Sequence, residues 1–216
     1  MNICVLGATG QTGRHLVDQA LDEGCWITAL ARYPNRMHRE HERLRVVEGH
    51  AQHLESVMRA VDGQDAVISV IGQVRERPSV ANLLTVTSSN LIEAMQASGV
   101  RRLVFLVGAG VSDPNDQASF ASRLIIPLMR LVAGHVLQDA EEATDLIRQS
   151  SLDWTIVRVP RLDNEPARGD LTAGFHKPGF APISREDVAR FMLDQLHDDR
   201  WLRYAPMISY EKSGTR

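Results

Sequence analysis

The sequence predicts an α/β fold: a doubly wound parallel sheet with helices on both faces. Two observations carry that expectation. Short apolar runs alternate with helically periodic segments at near-regular spacing along the whole chain. The first such pair is joined by a glycine-rich stretch, "GATGQTG" at residues 7–13, in a strand–turn–helix setting.

The elements follow in order. "NICVLG" reads as a buried strand, and "GRHLVDQALDEG" as a helix with Leu16, Val17, Ala20 and Leu21 on one face and Gly24 as its stop. "WITALAR" and "LRVVEG" are the next strands, followed by a helix in "AQHLESVMRAVDG". "DAVISVIG" is a fourth strand, and "VANLLTVTSSNLIEAMQASGV" is a long helix ending near Gly99. "RRLVFLVGAG" is a fifth strand, "DAEEATDLIRQSS" a helix and "LDWTIVRVP" a sixth strand. In "ISREDVARFMLDQL", Ser184 and Asp187 are expected to form a capping box. "LRYAPMISY" is expected as an edge strand, because Pro206 cannot donate to a ladder. No repeat or linker interrupts the pattern, so residues 1–216 are expected to form one domain, with about 158–210 making the substrate side.

Composition bounds the function. The chain has 216 residues, 44% hydrophobic and 24% charged, which suits one soluble globular core. A formal net charge of −3 argues against a generic nucleic-acid or anionic-membrane binder. Cys4 and Cys25 lie in apolar contexts without metal-like spacing, and a reducing, cytoplasmic setting is expected. The longest apolar stretch, "FASRLIIPLMRLVAGHVL", is interrupted by Arg123, Pro127 and Arg130 and so predicts no bilayer span. Its apolar residues exceed what a surface helix needs. Residues 120–136 are therefore expected either to roof a flat apolar ligand or to meet a second copy or a protein partner.

The three glycines have separable tasks in a Rossmann-like turn. Gly7 permits the tight turn, Gly10 lets backbone approach a pyrophosphate, and Gly13 lets the helix pack closely on the strand. The helix starting near Thr12 then presents its free N–H groups to phosphate. The residue that distinguishes the two nicotinamide dinucleotides is expected at the end of the second strand. An acid there would bond the ribose 2′-OH of NAD(H). Arg32 stands there instead, with Arg36 close behind, so NADP(H) is expected over NAD(H).

"GATGQTG", "DAVISVIG", "SSLDWTIVRVPRLDNEP" and "ISREDVARFMLDQL" together resemble the atypical short-chain dehydrogenase/reductases. The similarity is to their NAD(P)H-binding branch, which includes NmrA-like proteins and the biliverdin reductase B/flavin reductase type. The resemblance implies a nicotinamide lying across the ends of the fourth and fifth strands. It also implies phosphate and ribose contacts from Gly7, Thr9, Gly10, Gln11, Thr12, Gly13 and Arg32, with Val70, Ile71 and Gly72 on the adenosine side and Val107 and Gly108 near the nicotinamide ribose. The chain departs from that pattern in four places. Gly49-His50 replaces a Gly-Asp pair near the adenine, and Gly108 and Ala109 stand where several members carry Ser or Thr. Ala140 occupies the place of a helix lysine, and Arg161 that of a histidine after the sixth strand.

Most short-chain dehydrogenases use Tyr-x-x-x-Lys as a proton donor. Here the tyrosines are Tyr33, Tyr204 and Tyr210, and none stands four residues before Lys177 or Lys212. Flavins and quinones accept hydride and take a proton from water, so a reductase of flat acceptors needs no such dyad. Arg161 is a residue for positioning an anionic acceptor, or else a surface charge. Ser112 is expected to cap the turn with Asp113-Pro114. His135 is expected to pack at the core edge. His50 and His53, and His38 and His41, are spaced i, i+3, but no further ligand completes a zinc pattern, so no metal is expected. Two functional readings stand: an NADPH-dependent reductase of a flavin, quinone or similar acceptor, and an NmrA-like protein that senses NADP(H) without turnover.

Overall fold

The computed structural model describes residues 1–72, 82–117, 120–169, 171–175 and 181–210, with only the backbone of 120–133. The strands are β1 (Asn2–Leu6), β2 (Trp26–Ala31), β3 (Leu44–Glu48), β4 (Ala66–Ser69), β5 (Arg102–Gly108), β6 (Asp153–Val159), β7 (Leu162–Asp163), β8 (Leu171–Gly174), β9 (Ile183–Ser184) and β10 (Met207–Tyr210). The helices are α1 (Gln11–Asp22), α2 (Leu54–Val61), α3 (Leu83–Ser98), α4 (Phe120–Gln149) and α5 (Arg185–Asp194). The main sheet runs β3-β2-β1-β4-β5-β6-β10-β8, parallel except for β8, which is antiparallel to β10. β7 and β9 form a separate parallel pair.

Strand periodicity divides the core in two. On β1, Cys4 and Leu6 join one apolar cluster while Ile3 and Val5 join the other. On β5, Leu103, Phe105 and Val107 alternate in the same way with Val104 and Leu106. Both faces are covered, α1 and α5 packing together on one and α2, α3 and α4 on the other. This is why these strands are continuously apolar in sequence. The same burial pushes the Cys4 thiol up to about 12, which makes it an inert core residue.

Three expectations about strands and helices need correction. β10 is not an edge strand: it lies between β6 and β8. Pro206 falls one residue before it, where only its carbonyl is used, accepting from the Arg158 N–H at 2.9 Å. The capping box at α5 closes on one side only. The Ser184 hydroxyl accepts from the Glu186 N–H at 3.3 Å, but Asp187 is turned elsewhere. Its carboxylate accepts from the backbone of Arg168 and Gly169 and from the Tyr210 hydroxyl at 2.6 Å, tying the loop after β7 to α5 and β10. The helix expected over residues 139–151 is the second half of a 30-residue helix that begins at Phe120. No helix among the described residues is long and apolar enough to cross a membrane.

One buried ion pair organises the C-terminal end of the sheet. Arg158 is a β6 residue with no solvent exposure. Its guanidinium donates to both Asp116 oxygens at 2.8 and 2.5 Å and to the carbonyls of Val111 and Ala205 at 2.9 and 2.7 Å. Asp116 also accepts from the Asp113 N–H at 2.9 Å, and Arg148 of α4 reaches the Ser112 carbonyl and Asp113. The loop after β5 is thereby held from three sides. Its turn is capped by Asp113, which accepts from the Asn115 N–H at 3.0 Å, and not by the Ser112 side chain. Removing one partner of such a pair strands a buried charge. Asp116→Ala is therefore expected to cost about 3–5 kcal/mol, and the double replacement Arg158→Met with Asp116→Leu, which removes both charges together, clearly less. Urea unfolding of both variants measures the difference.

Candidate functional site

In a sheet of this order the strand connections reverse direction between β1 and β4, which opens a crevice at the carboxyl ends of the strands. A cleft of about 240 Å³ lies there, reaching across the ends of β1 to β4 to the start of α3. Its floor is Gly7, Thr9, Gly10, Val70, Ile71 and Gly72; its far wall carries Arg32, Tyr33, Arg36 and His50. A larger groove of about 510 Å³ lies at the opposite end of the sheet, lined by Asp65, Arg101, Arg102 and Asp153 among others. Arg101 and Asp153 there already pair with each other at 2.9 Å.

The glycine turn is built by contact. Gly7 has φ +87°, a conformation that L side chains rarely adopt, and a Cβ on it would lie 2.9 Å from the Val70 carbonyl carbon. A Cβ on Gly13 would lie 2.1 Å from the Gly7 oxygen, so no side chain fits there. Gly10 differs. Its φ is −77° and its Cβ would meet only the Gly7 oxygen, at 3.1 Å. The fold itself explains glycine at positions 7 and 13, and much less so at 10.

Gly10 is also the N-cap of α1, with no side-chain cap and no acidic residue in the first turn. The free N–H groups and the positive helix end are therefore available to an anion. Gln11 is exposed, while Thr12 and Gly13 are buried behind the turn.

The far wall is cationic. Arg32 lies with its guanidinium carbon 5.2 Å from the Tyr33 ring centroid and Arg36 with its own at 4.9 Å. Neither forms an ion pair among the described residues, unlike Arg39, Arg148, Arg158 and Arg190. Beside them His50 is half-buried, its Nδ1 accepting the Gln52 N–H at 3.2 Å. Desolvation, then the Arg32 charge, then His53 hold its pKa below the ordinary histidine value.

Of the residues singled out from the sequence, Gly7, Thr9, Gly10, Arg32, Val70, Ile71 and Gly72 line this one cleft. Gln11, Thr12, Gly13, Val107, Gly108 and Arg161 do not. Val107 is buried at the end of β5, Gly108 is exposed there, and Arg161 is exposed just after β6. His135 is exposed on α4, not packed at the core edge, because that turn of the helix faces solvent. The side chains of 120–133, the greater part of the expected roof or partner face, lie outside the described residues. Ala140 packs in the core. Tyr33 was missed in the sequence reading; its only signal was an aromatic residue flanked by Arg32 and Arg36. No group of three or more His, Cys, Asp or Glu side chains that could hold a metal occurs among the described residues.

Residues 7–199 match the model of the family described as NAD(P)H-binding. A photosystem II assembly factor, Ycf39, from Synechocystis sp. is 26% identical over 208 residues, covering 88% of this chain and 57% of that protein. The chain thus spans little more than half of that relative's length. A Rossmann-fold NAD(P)-binding family protein from Shigella flexneri has a TM-score of 0.73 at 25% identity, over 99% of this chain and 94% of that one. ChuY, an anaerobillin reductase from Escherichia coli O157:H7, superposes over all of both chains with a TM-score of 0.79 at 17% identity, a likeness of fold.

The separate tasks of the glycines can be read out independently. Gly13→Ala is expected to destabilise the protein by about 1–3 kcal/mol through overpacking against the Gly7 carbonyl. Gly10→Val should shift the melting temperature less and weaken binding of both NADPH and NADH. Thermal melts paired with cofactor titration of the two variants check this.

Proposed function

The chain belongs to the NAD(P)H-binding family, and from that premise we propose that it is an NADPH-dependent oxidoreductase that reduces a flat acceptor, a flavin, quinone or similar ring. The observation that carries the cofactor choice is the pair of guanidiniums, Arg32 and Arg36, on one wall of the cleft with no carboxylate among the described residues paired to them. A dianionic 2′-phosphate neutralises two such charges, and a bare ribose hydroxyl does not. The uncapped start of α1 and the Gly7–Gly10 turn suit the pyrophosphate, and Val70, Ile71 and Gly72 the adenosine. Val107 and Gly108, at the end of β5, are assigned to the nicotinamide side.

When bound, the reduced nicotinamide supplies a hydride. The chain's own residues then position the partners and exclude water. Tyr210 does not serve as an acid. Burial, followed by its bond to Asp187, pushes its phenol up to about 12. With no Tyr-x-x-x-Lys in the sequence, an acceptor that takes its proton from water fits best. Arg161, exposed and free of ion pairs among the described residues at the end of β6, is the residue proposed to steady an anionic acceptor.

A second reading rests on the similarity to an assembly factor: an NADP(H)-sensing protein that binds cofactor without turnover and signals through a partner. Cofactor consumption separates the two. Under the reductase reading, stopped-flow spectroscopy should show NADPH oxidation with flavin mononucleotide or a quinone and none with simple aldehydes or sugars. Arg161→Ala should slow it, and Arg161→Lys should recover only part, because the planar fork is lost. Tight NADPH binding with no consumption across the panel selects the sensor.

Arg32→Ala removes a charge-assisted contact worth about 1.5–3 kcal/mol. It should weaken NADPH roughly ten- to a hundredfold while leaving NADH nearly unchanged. Calorimetric titration with equal losses for both cofactors would refute the assignment.

A further inference from the structure

The chain between β2 and β3 carries the cationic wall of the cleft. Arg32 and Arg36 lie against Tyr33 there, around a single 3-10 turn at Pro34–Arg36. None of these three side chains makes a hydrogen bond or ion pair to the rest of the fold among the described residues. The turn is closed only locally, the Arg36 N–H donating to the Tyr33 carbonyl and the Met37 N–H to the Pro34 carbonyl, both at 3.0 Å. Arg32 follows directly from β2. Arg36 is further on, and its place depends on what holds the turn.

Three consecutive residues supply that hold. Met37 packs against the apolar cluster shared by β1, α1 and α5. His38 donates from Nε2 to Asp18 Oδ2 at 2.9 Å. Arg39 bridges two carboxylates one turn apart on α1, giving Nη1 to Asp18 Oδ1 at 3.0 Å and Nη2 to Asp22 Oδ1 at 3.3 Å. Partial burial acts to raise the Asp18 pKa, but the bonds from His38 and Arg39 outweigh it and hold the carboxyl below its ordinary value. Asp18 is therefore charged at neutral pH and engaged on both oxygens. It lies outside the cleft, about two turns along α1 from the open N-terminus at Gly10. One rigid helix thus presents its start to the cleft floor and fastens the segment that carries Arg36.

We propose that Asp18 is a positioning residue: through Arg39 and His38 it fixes the spacing between the start of α1 and the Arg32–Arg36 wall, and so supports selection of a 2′-phosphate. The inference rests on the reading of the cleft as an NADP(H) site, and the test keeps the two apart.

The sign of one substitution separates this role from simple electrostatics. Asp18→Asn is isosteric at a part-exposed position and removes a negative charge. By charge alone it should tighten an anionic cofactor, NADPH most of all. By loss of the hold it should do the opposite. Calorimetric titration of the full chain is expected to show NADPH weakened about three- to fivefold by Asp18→Asn, and NADH changed by less than about twofold. Arg39→Gln should give a similar loss. The double variant should lose little more than either single one, since both break the same contact. Hydrogen exchange of the free protein gives a second readout: amides of residues 33–39 should exchange faster in Asp18→Asn than in the native chain.

Unchanged or tightened NADPH binding in Asp18→Asn overturns the positioning role. Equal losses for both cofactors overturn it too, because the 2′-phosphate end would then not be what moved. Additive losses in the double variant, or unaltered exchange over 33–39, overturn the shared anchor. If the native chain binds neither cofactor, or binds both alike, the reading of the cleft itself falls, and this inference with it.

Discussion

The contact between the first turn of α1 and the chain leaving β1 is the constraint on which the rest of the cleft depends. A methyl on Gly13 would sit 2.1 Å from the Gly7 carbonyl oxygen, so the helix can lie this close only because Gly13 lacks a side chain, while Gly7 is held bare by the Val70 backbone. That approach puts the uncapped start of α1 over the carboxyl ends of the parallel strands. It also leaves Gly10 as the surface nearest to anything seated there. A turn widened by one carbon would move the helix off its strand and open the floor of the cleft.

Charge placement gives the cleft its second property. Arginines elsewhere in the fold are engaged: Arg39 with Asp18 and Asp22, Arg148 with Asp113 and Asp145. Arg32 and Arg36 lie along Tyr33, an arrangement that holds two like charges near each other at modest cost because the ring face is attractive to both. Charges that lie close together, with no ion pair among the described residues, carry an energetic cost that an anion relieves. At the other end of the site, Arg158 and Asp116 serve the opposite purpose. They are engaged with each other, Arg158 also donating to the Val111 and Ala205 carbonyls and Asp116 accepting from the Asp113 N–H, and they hold the loop after β5 beside the ends of β5 and β6.

The chain shares its fold with a reductase at 17% identity, and it has sequence similarity to a protein named for assembly. The fold therefore leaves the chemistry open, and function rests on individual side chains. In the reading proposed above these are Arg32 and Arg36 for the cofactor, and Arg161 with the absent Tyr-x-x-x-Lys for the acceptor.

The sequence by itself determined the alternation of strands and helices, the glycine turn and the Arg32 signal. Each of these is a local pattern: burial on both faces makes a strand apolar throughout, and a tight turn needs glycine whatever surrounds it. Tertiary structure decided what depends on distant partners. The arginine within "DWTIVRV" gives no sign that it is wholly buried, because its counter-ion Asp116 is 42 residues away. β8 is short and partly exposed, and it exists because β10 pairs with it, which is also why β10 is not an edge. Asp187 matched a capping pattern locally, yet the backbone N–H groups of Arg168 and Gly169 and the Tyr210 hydroxyl claimed its carboxylate. His50 could be read only as a departure from a family pattern; packing of the β3 end against the β2 end placed it beside Arg32. A side chain's partners, unlike its periodicity, are set by which chain ends the sheet brings together.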